Sequence, residues 1–163
     1  MHPTSYQAMK MFVADHLGES GTVLDVGALD INGTYRDLFG EGWKYTGLDS
    51  VAGPNVDVVD WEKIKPESFD AVISGQTLEH CADDGGLVVQ MAIALKPGGH
   101  MCIIVPSAGP VHSDPDYRRY TQDLLTKLIE DAGMEVVRMG QSIIPPWCDV
   151  CAIARKPEKK VKS

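Results

Sequence analysis

The chain has 163 residues, 44% of them apolar and 23% charged, with a formal net charge of −8. Those values suit one ordinary globular core and leave little room for extended disorder. An acidic surface of this size repels phosphate backbones, so no nucleic-acid partner is expected.

Residues Ser5 to Leu17 place Tyr6, Met9, Phe12, Val13 and Leu17 on one helical stripe that stops at Gly18. This N-terminus lacks the apolar stretch of a signal peptide, and no apolar run in the chain approaches the length of a membrane span. A cytoplasmic protein with no membrane partner is expected, with Cys81, Cys102, Cys148 and Cys151 reduced. The segment "TVLDVG" reads as the first strand, and "YRDLF" as a helical turn or two after a loop. "WKYTGLDS" reads as a second strand and "NVDVVDW" as a short third, each ending in an acid. "SFDAVISG" is the fourth strand, Gly86 to Leu95 a helix stopped by Pro97-Gly98-Gly99, and "HMCIIVPS" the fifth strand. Thr121 caps a helix over "TQDLLTKLIEDAGM", with Gly133 as its terminator.

"EVVRMG" and "CDVCAIARK" close the series as two strands with no helix between them. Such a pair must be antiparallel, because a parallel crossover needs a dozen or more residues. An open α/β sheet, mostly parallel, with helices on both faces and one antiparallel strand near its edge is therefore predicted. Cys148 and Cys151 form a C-x-x-C on the last strand, where the two-residue period sends the thiols to opposite faces. With no second Cys or His pair to complete a zinc site, no metal is expected. The only basic cluster, "RKPEKKVKS", reads as a solvated tail. The domain is expected over residues 1–155, with a disordered basic tail over 156–163.

In such a sheet the ligand lies beyond the carboxyl ends of the strands. Three acids sit there: Asp25 beside Gly27, then Asp49, then Asp60. Asp49 follows Gly27 by 22 positions, the spacing at which a carboxylate reaches the hydroxyls of a ribose bound over the first loop. A nicotinamide dinucleotide site would show the same acid, but it also needs G-x-G-x-x-G to cradle a pyrophosphate. Here the loop reads "DVGALDINGT", with Asp30 where a pyrophosphate would sit. Its negative side chain suits a phosphate-free, cationic ligand, and S-adenosylmethionine fits that description. Acids at strand ends also cap turns, so each carboxylate has a structural alternative.

The run "VLDVGALDINGTY", "YTGLDS", "VDVVDW", "FDAVISGQTLEHCAD" and "ALKPGGHMCIIVPS" resembles the class I S-adenosylmethionine-dependent methyltransferases, of the type 11-like domain, over nearly the whole chain. Within that family, "DVGALDINGTYRDLF" with "HSDPDYRRYTQDLL" is similar to the branch with an extended, Asn-Gly-containing first motif, thought to act on sugars or other small metabolites. The resemblance implies a Rossmann-like, doubly wound, seven-stranded sheet in the order 3-2-1-4-5-7-6 with the last strand antiparallel.

It also implies roles. Asp25, Gly27, Ala28 and Asp30 would shape the loop that receives the methionine moiety, with Asp25 near its ammonium. Asp49, with Ser50 beside it, would bind the ribose. Asp60 would accept from the adenine amine, Trp61 would lie against the base, and Gly75 and Gln76 would line the methionine end. The departure from G-x-G-x-G leaves the loop path through Leu29, Asp30 and Ile31 open.

A sulfonium is already an activated donor, so alignment alone can offset about 7–11 kcal/mol of barrier. A hydroxyl acceptor would gain from a base, for which His80 and His112 are the candidates. Tyr117, Arg119 and Tyr120 form the expected acceptor-side wall. His80 has an alternative role in capping its turn, Arg119 in pairing with loop acids, and the tyrosines in packing. Methyl transfer to a small molecule leads. A silent S-adenosylmethionine-binding subunit or sensor is the alternative, and a nicotinamide-dependent oxidoreductase is disfavoured. The short N-terminal segment implies an open acceptor site that a partner chain, as in a homodimer, or a mobile loop would close.

Overall fold

Alternation along the strands divides the core. In the computed structural model, which describes residues 3–111, 113–144 and 146–159, six strands form one sheet: β1 (Gly21–Val26), β2 (Trp43–Leu48), β3 (Phe69–Gly75), β4 (Leu95–Ala108), β5 (Glu135–Ile144) and β6 (Trp147–Arg155). Their order is β2-β1-β3-β4-β6-β5. β1 pairs in parallel with β2 and β3, and β3 with β4, while β6 runs antiparallel to both β4 and β5. Leu24, Val72, Met101 and Ile103 point to one face, where they meet α2 (Asp84–Ala94) and α3 (Gln122–Asp131). Val23, Ile73, Cys102 and Ile104 point to the other, against Met9 and Phe12 of α1 (Pro3–His16). This two-residue period buries the sheet on both sides.

The helix ends follow their local chemistry. Thr121 accepts from the Leu124 N–H at 3.1 Å to open α3. The N–H groups of Gly133 (φ 77°) and Met134 close it on the carbonyls of Glu130 and Ile129. Asp83 accepts from Gly86 N–H at 2.9 Å, so α2 starts two residues before the expected Gly86. No helix among the described residues is long and apolar enough to cross a membrane.

One expectation is corrected. The predicted third strand is a single parallel bridge, Leu48 to Val58, so the sheet has six strands, not seven, in otherwise the expected order. Polar side chains compete with the ladder there. Asp57 accepts from Gly47 N–H at 2.8 Å and pairs with Arg36 at 2.6 Å, and Asn55 (φ 69°) binds the Ala28 carbonyl at 2.8 Å. The helical turn expected after the first loop is a 3-10 turn, Arg36–Leu38.

Two lysines of the expected tail are held to the domain. Lys156 donates to the carbonyls of Ala92 and Leu95, each at 2.8 Å, and Lys159 pairs with Glu67 at 2.6 Å.

Candidate functional site

The carboxyl ends of β1, β2 and β3 lie side by side, and the loops leaving them enclose a cleft of about 430 Å³. Gly27 makes the close approach possible. Its φ is 83°, and a Cβ added there would stand 2.0 Å from the Thr77 hydroxyl oxygen, so only glycine fits between the first loop and the one after β3. The same loops are tied by Ser74 and Thr77 hydroxyls donating to the Val26 carbonyl at 2.9 and 3.3 Å. Gly75 meets a similar limit, since a Cβ there would lie 2.2 Å from the Tyr35 hydroxyl.

Asp25 and Asp49 both reach the cleft wall. Asp25 is 3% exposed and accepts from the Tyr45 hydroxyl. Burial pushes its carboxyl up to about 7, against the lowering influence of the Tyr45 hydrogen bond and the Arg36 guanidinium. Asp49 secures the loop by accepting from Leu29 N–H at 3.1 Å and Val51 N–H at 3.2 Å. A second hollow of about 180 Å³ adjoins the cleft and shares Gly27, Asp49, Ser50 and Thr77 with it. Its other walls are apolar, with Trp61, Val59 and Leu87. One trough therefore runs from an apolar end at Trp61, past Asp49, to a polar end at Asp25, Gly75 and Gln76. Ala28 and Ser50 complete its wall.

Other expected residues lie elsewhere. Asp30 turns into its own loop, accepting from Gly33 N–H at 2.7 Å, and is not on the cleft wall. Asp60 lines neither cavity; it caps the turn Trp61–Lys63 by accepting from Glu62 N–H at 2.9 Å. Tyr120 is a core residue, 1% exposed, whose hydroxyl donates to Asp84 at 2.9 Å. Arg119 braces its own loop through Asp116 (2.9 Å) and the Pro110 carbonyl (2.7 Å). Tyr117 is half-exposed, held by its N–H on the Glu79 carbonyl at 2.8 Å. None of Tyr117, Arg119 and Tyr120 lines the cleft, and the polar loop contributes Ser113 instead.

His80 does line the cleft. Its Nδ1 lies 2.6 Å from the Pro115 carbonyl oxygen, which can only accept, so Nδ1 carries the proton and Nε2 is the basic atom of the neutral ring. His112 lies outside the described residues.

Several contributors were not singled out from the sequence. Thr77 packs on Gly27, Tyr45 hydrogen-bonds Asp25, and Asp149, 3% exposed on β6, holds Gln76 at 3.0 Å. Glu79 is fully buried, and desolvation pushes its carboxyl up to about 8. An acid inside apolar "WCDVCAIAR" was the available signal for Asp149, because burying a carboxylate needs partners. Gln76 carries a second sign, a left-handed backbone (φ 59°) that strains a non-glycine residue by about 1–3 kcal/mol. Cys151 approaches Cys102 at 3.8 Å, a partner on the neighbouring strand. Among the described residues no group of three or more His, Cys, Asp or Glu is placed to hold a metal ion.

No curated protein matches the chain. Its fold resembles solved structures at low identity. One is the Burkholderia thailandensis 1,6-didemethyltoxoflavin-N1-methyltransferase with bound 1,6-didemethyltoxoflavin and S-adenosylhomocysteine, at 22% identity and TM-score 0.77, covering 94% of this chain and 79% of that one. Another is a Methanosarcina mazei S-adenosylmethionine-dependent methyltransferase, at 14% identity and TM-score 0.72, covering 98% and 99%. A third is the Haemonchus contortus phosphoethanolamine N-methyltransferase 2 with S-adenosylmethionine, at 17% identity and TM-score 0.69, covering 93% of this chain but 52% of that one. The family model described as "Methyltransferase domain" matches residues 12–103. With more than half of its length in that match, the chain belongs to the class I S-adenosylmethionine-dependent methyltransferases.

Proposed function

We propose that this chain binds S-adenosylmethionine along the trough and directs its methyl group to a small-molecule acceptor, such as a sugar or another small metabolite. The carrying observation is the trough itself, apolar at Trp61 and acidic at Asp25 and Asp49. A pyrophosphate would need a helix N-terminus beside the first loop, and the segment after Gly33 offers only the three-residue turn Arg36–Leu38. The residues present thus fit a cationic, phosphate-free adenosine compound better than a dinucleotide.

In this reading Trp61, Val59 and Leu87 would hold the base, and Asp49 and Ser50 the ribose. Asp25 and Gln76 would take the amino-acid end. When bound, the sulfonium supplies an electrophilic methyl carbon. Gly27 and Gly75 let the backbone come close enough to exclude water from that end of the cleft. His80, whose Nε2 neighbours the Ser113 hydroxyl at 3.5 Å and the Glu79 carboxyl at 3.6 Å, would take up the proton of an acceptor hydroxyl, while the Pro115 carbonyl keeps the ring in the required tautomer. The small-molecule assignment draws support from two similar structures whose own substrates are a didemethyltoxoflavin and a phosphoethanolamine. A single cytoplasmic catalytic domain through residue 155 completes the proposal.

Titration calorimetry with S-adenosylmethionine, S-adenosylhomocysteine and NAD tests it. Binding of the first two and not the third is expected. Asp49→Ala removes hydrogen bonds to a charged acceptor and should weaken both about 10-fold to 100-fold. Tight NAD binding, or full affinity in Asp49→Ala, would overturn the assignment.

A further inference from the structure

The end of β3 contains a hydrogen-bonded chain that joins three distant parts of the sequence. Gln76 follows Gly75 on the cleft wall, in the left-handed backbone region, with its own N–H on the Ile104 carbonyl at 2.8 Å. Its side-chain Nε2 donates to Asp149 Oδ1 at 3.0 Å. Asp149 stands on β6 opposite Pro106, is 3% exposed, and accepts with its second oxygen from the Thr4 hydroxyl of α1 at 2.8 Å.

The chemistry of that chain sets the direction of the glutamine amide. A carboxylate offers no proton, so the amide NH2 must face Asp149 and the carbonyl oxygen must face away from it. That oxygen, Oε1, is buried and has no hydrogen-bond partner among the described residues. A buried acceptor without a donor is unfavourable, and a cleft ligand that brings N–H groups removes the penalty.

We propose that Asp149 is a positioning residue: by fixing the amide of Gln76 it aims the Gln76 carbonyl oxygen at the ammonium of the ligand's amino-acid tail. Thr4 holds the far oxygen of Asp149, so the first turn of α1 sets this selection from outside the cleft. The inference rests on the S-adenosylmethionine reading above and goes beyond it in assigning a role to the last strand and the first helix.

The test compares two ligands by calorimetry on the full chain. S-adenosylhomocysteine carries the amino-acid tail, and 5′-methylthioadenosine has the same nucleoside without it. Gln76→Met removes the acceptor at similar volume and should weaken S-adenosylhomocysteine about 10-fold to 100-fold. Asp149→Leu should weaken it about 10-fold, and the double variant should be no weaker than Gln76→Met alone, because Asp149 acts through Gln76. Asp149→Asn should retain affinity, since Asn still accepts from Gln76 while its own amide donates to the Thr4 hydroxyl. Methylthioadenosine should bind all four variants within about twofold of the parent chain.

Losses that multiply in the double variant, or equal losses for both ligands, would overturn the positioning role even with nucleoside binding intact. A parent chain that binds neither nucleoside would instead remove the S-adenosylmethionine reading, and this inference with it. If Asp149→Leu fails to fold, Gln76→Met and Asp149→Asn still decide: full S-adenosylhomocysteine affinity in the former, or its loss in the latter, refutes the proposal.

Discussion

Asp25→Asn should remove one part of a pH dependence that the cleft builds into the fold. The Asp25 carboxyl titrates near 7 in the native chain, against an ordinary value of 3.8, chiefly because burial disfavours its charged form. Below 3.8 the folded and unfolded chains both hold the proton and the group contributes nothing. Between 3.8 and about 7 the native chain binds the extra proton, so stability falls as pH rises. Above about 7 the penalty is complete, about 4 kcal/mol for a shift of that size.

At roughly 2–4 °C per kcal/mol for a chain of this length, Asp25 alone should lower Tm by about 8–16 °C between pH 4 and pH 8. Asparagine keeps an acceptor for the Tyr45 hydroxyl and removes the charge. Glu79, pushed up to about 8 by burial, has a pH slope of the same sign, so the difference between the two Tm curves isolates Asp25. Thermal denaturation of both proteins without ligand, from pH 4 to 8, is the assay. The curves should converge at low pH and separate by about 8–16 °C at pH 8, with the variant more stable. Parallel curves would refute a buried, charge-disfavoured Asp25. Saturating S-adenosylhomocysteine, whose ammonium favours the ionised carboxylate, should stabilise the parent chain increasingly as pH rises through the same window.

Gly27→Ala combines a left-handed backbone with a 2.0 Å approach to Thr77, and should destabilise by about 2–6 kcal/mol in denaturant unfolding; a loss below about 1 kcal/mol would contradict that geometry. Tyr120→Phe removes one hydrogen bond to an Asp84 that keeps Arg118 at 2.9 Å, so about 1 kcal/mol of stability should go, with S-adenosylhomocysteine affinity unchanged. His80→Ala should lower kcat about 100-fold or more on an oxygen acceptor, at constant KM for S-adenosylmethionine. An unchanged kcat would leave His80 as a bracket for the Pro115 loop.

Features that depend on near neighbours along the chain were legible in the residues alone. The short, nearly continuous apolar runs of "SFDAVISG" and "HMCIIVPS" specify strands buried on both faces, and Thr121 and Gly133 mark the ends of one helix. Gly27 with Asp49 located the head of the cleft, because strand ends and the loop between them are local features. The directions of the polar side chains were not legible there, because they depend on packing in three dimensions. Asp30 and Asp60 satisfy backbone N–H groups within three residues of themselves, while Tyr120 reaches inward to Asp84; no periodicity distinguishes those choices from a turn toward the cleft. The "NVDVVDW" strand yielded to hydrogen bonds that its own Asn55 and Asp57 accept from Arg36, a residue of the turn after the first loop. Thr4, Gln76 and Asp149 meet across separations of 73 and 145 residues. Such pairings arise because a buried carboxylate must find donors wherever the fold brings them, and which donors come near is a property of packing in three dimensions.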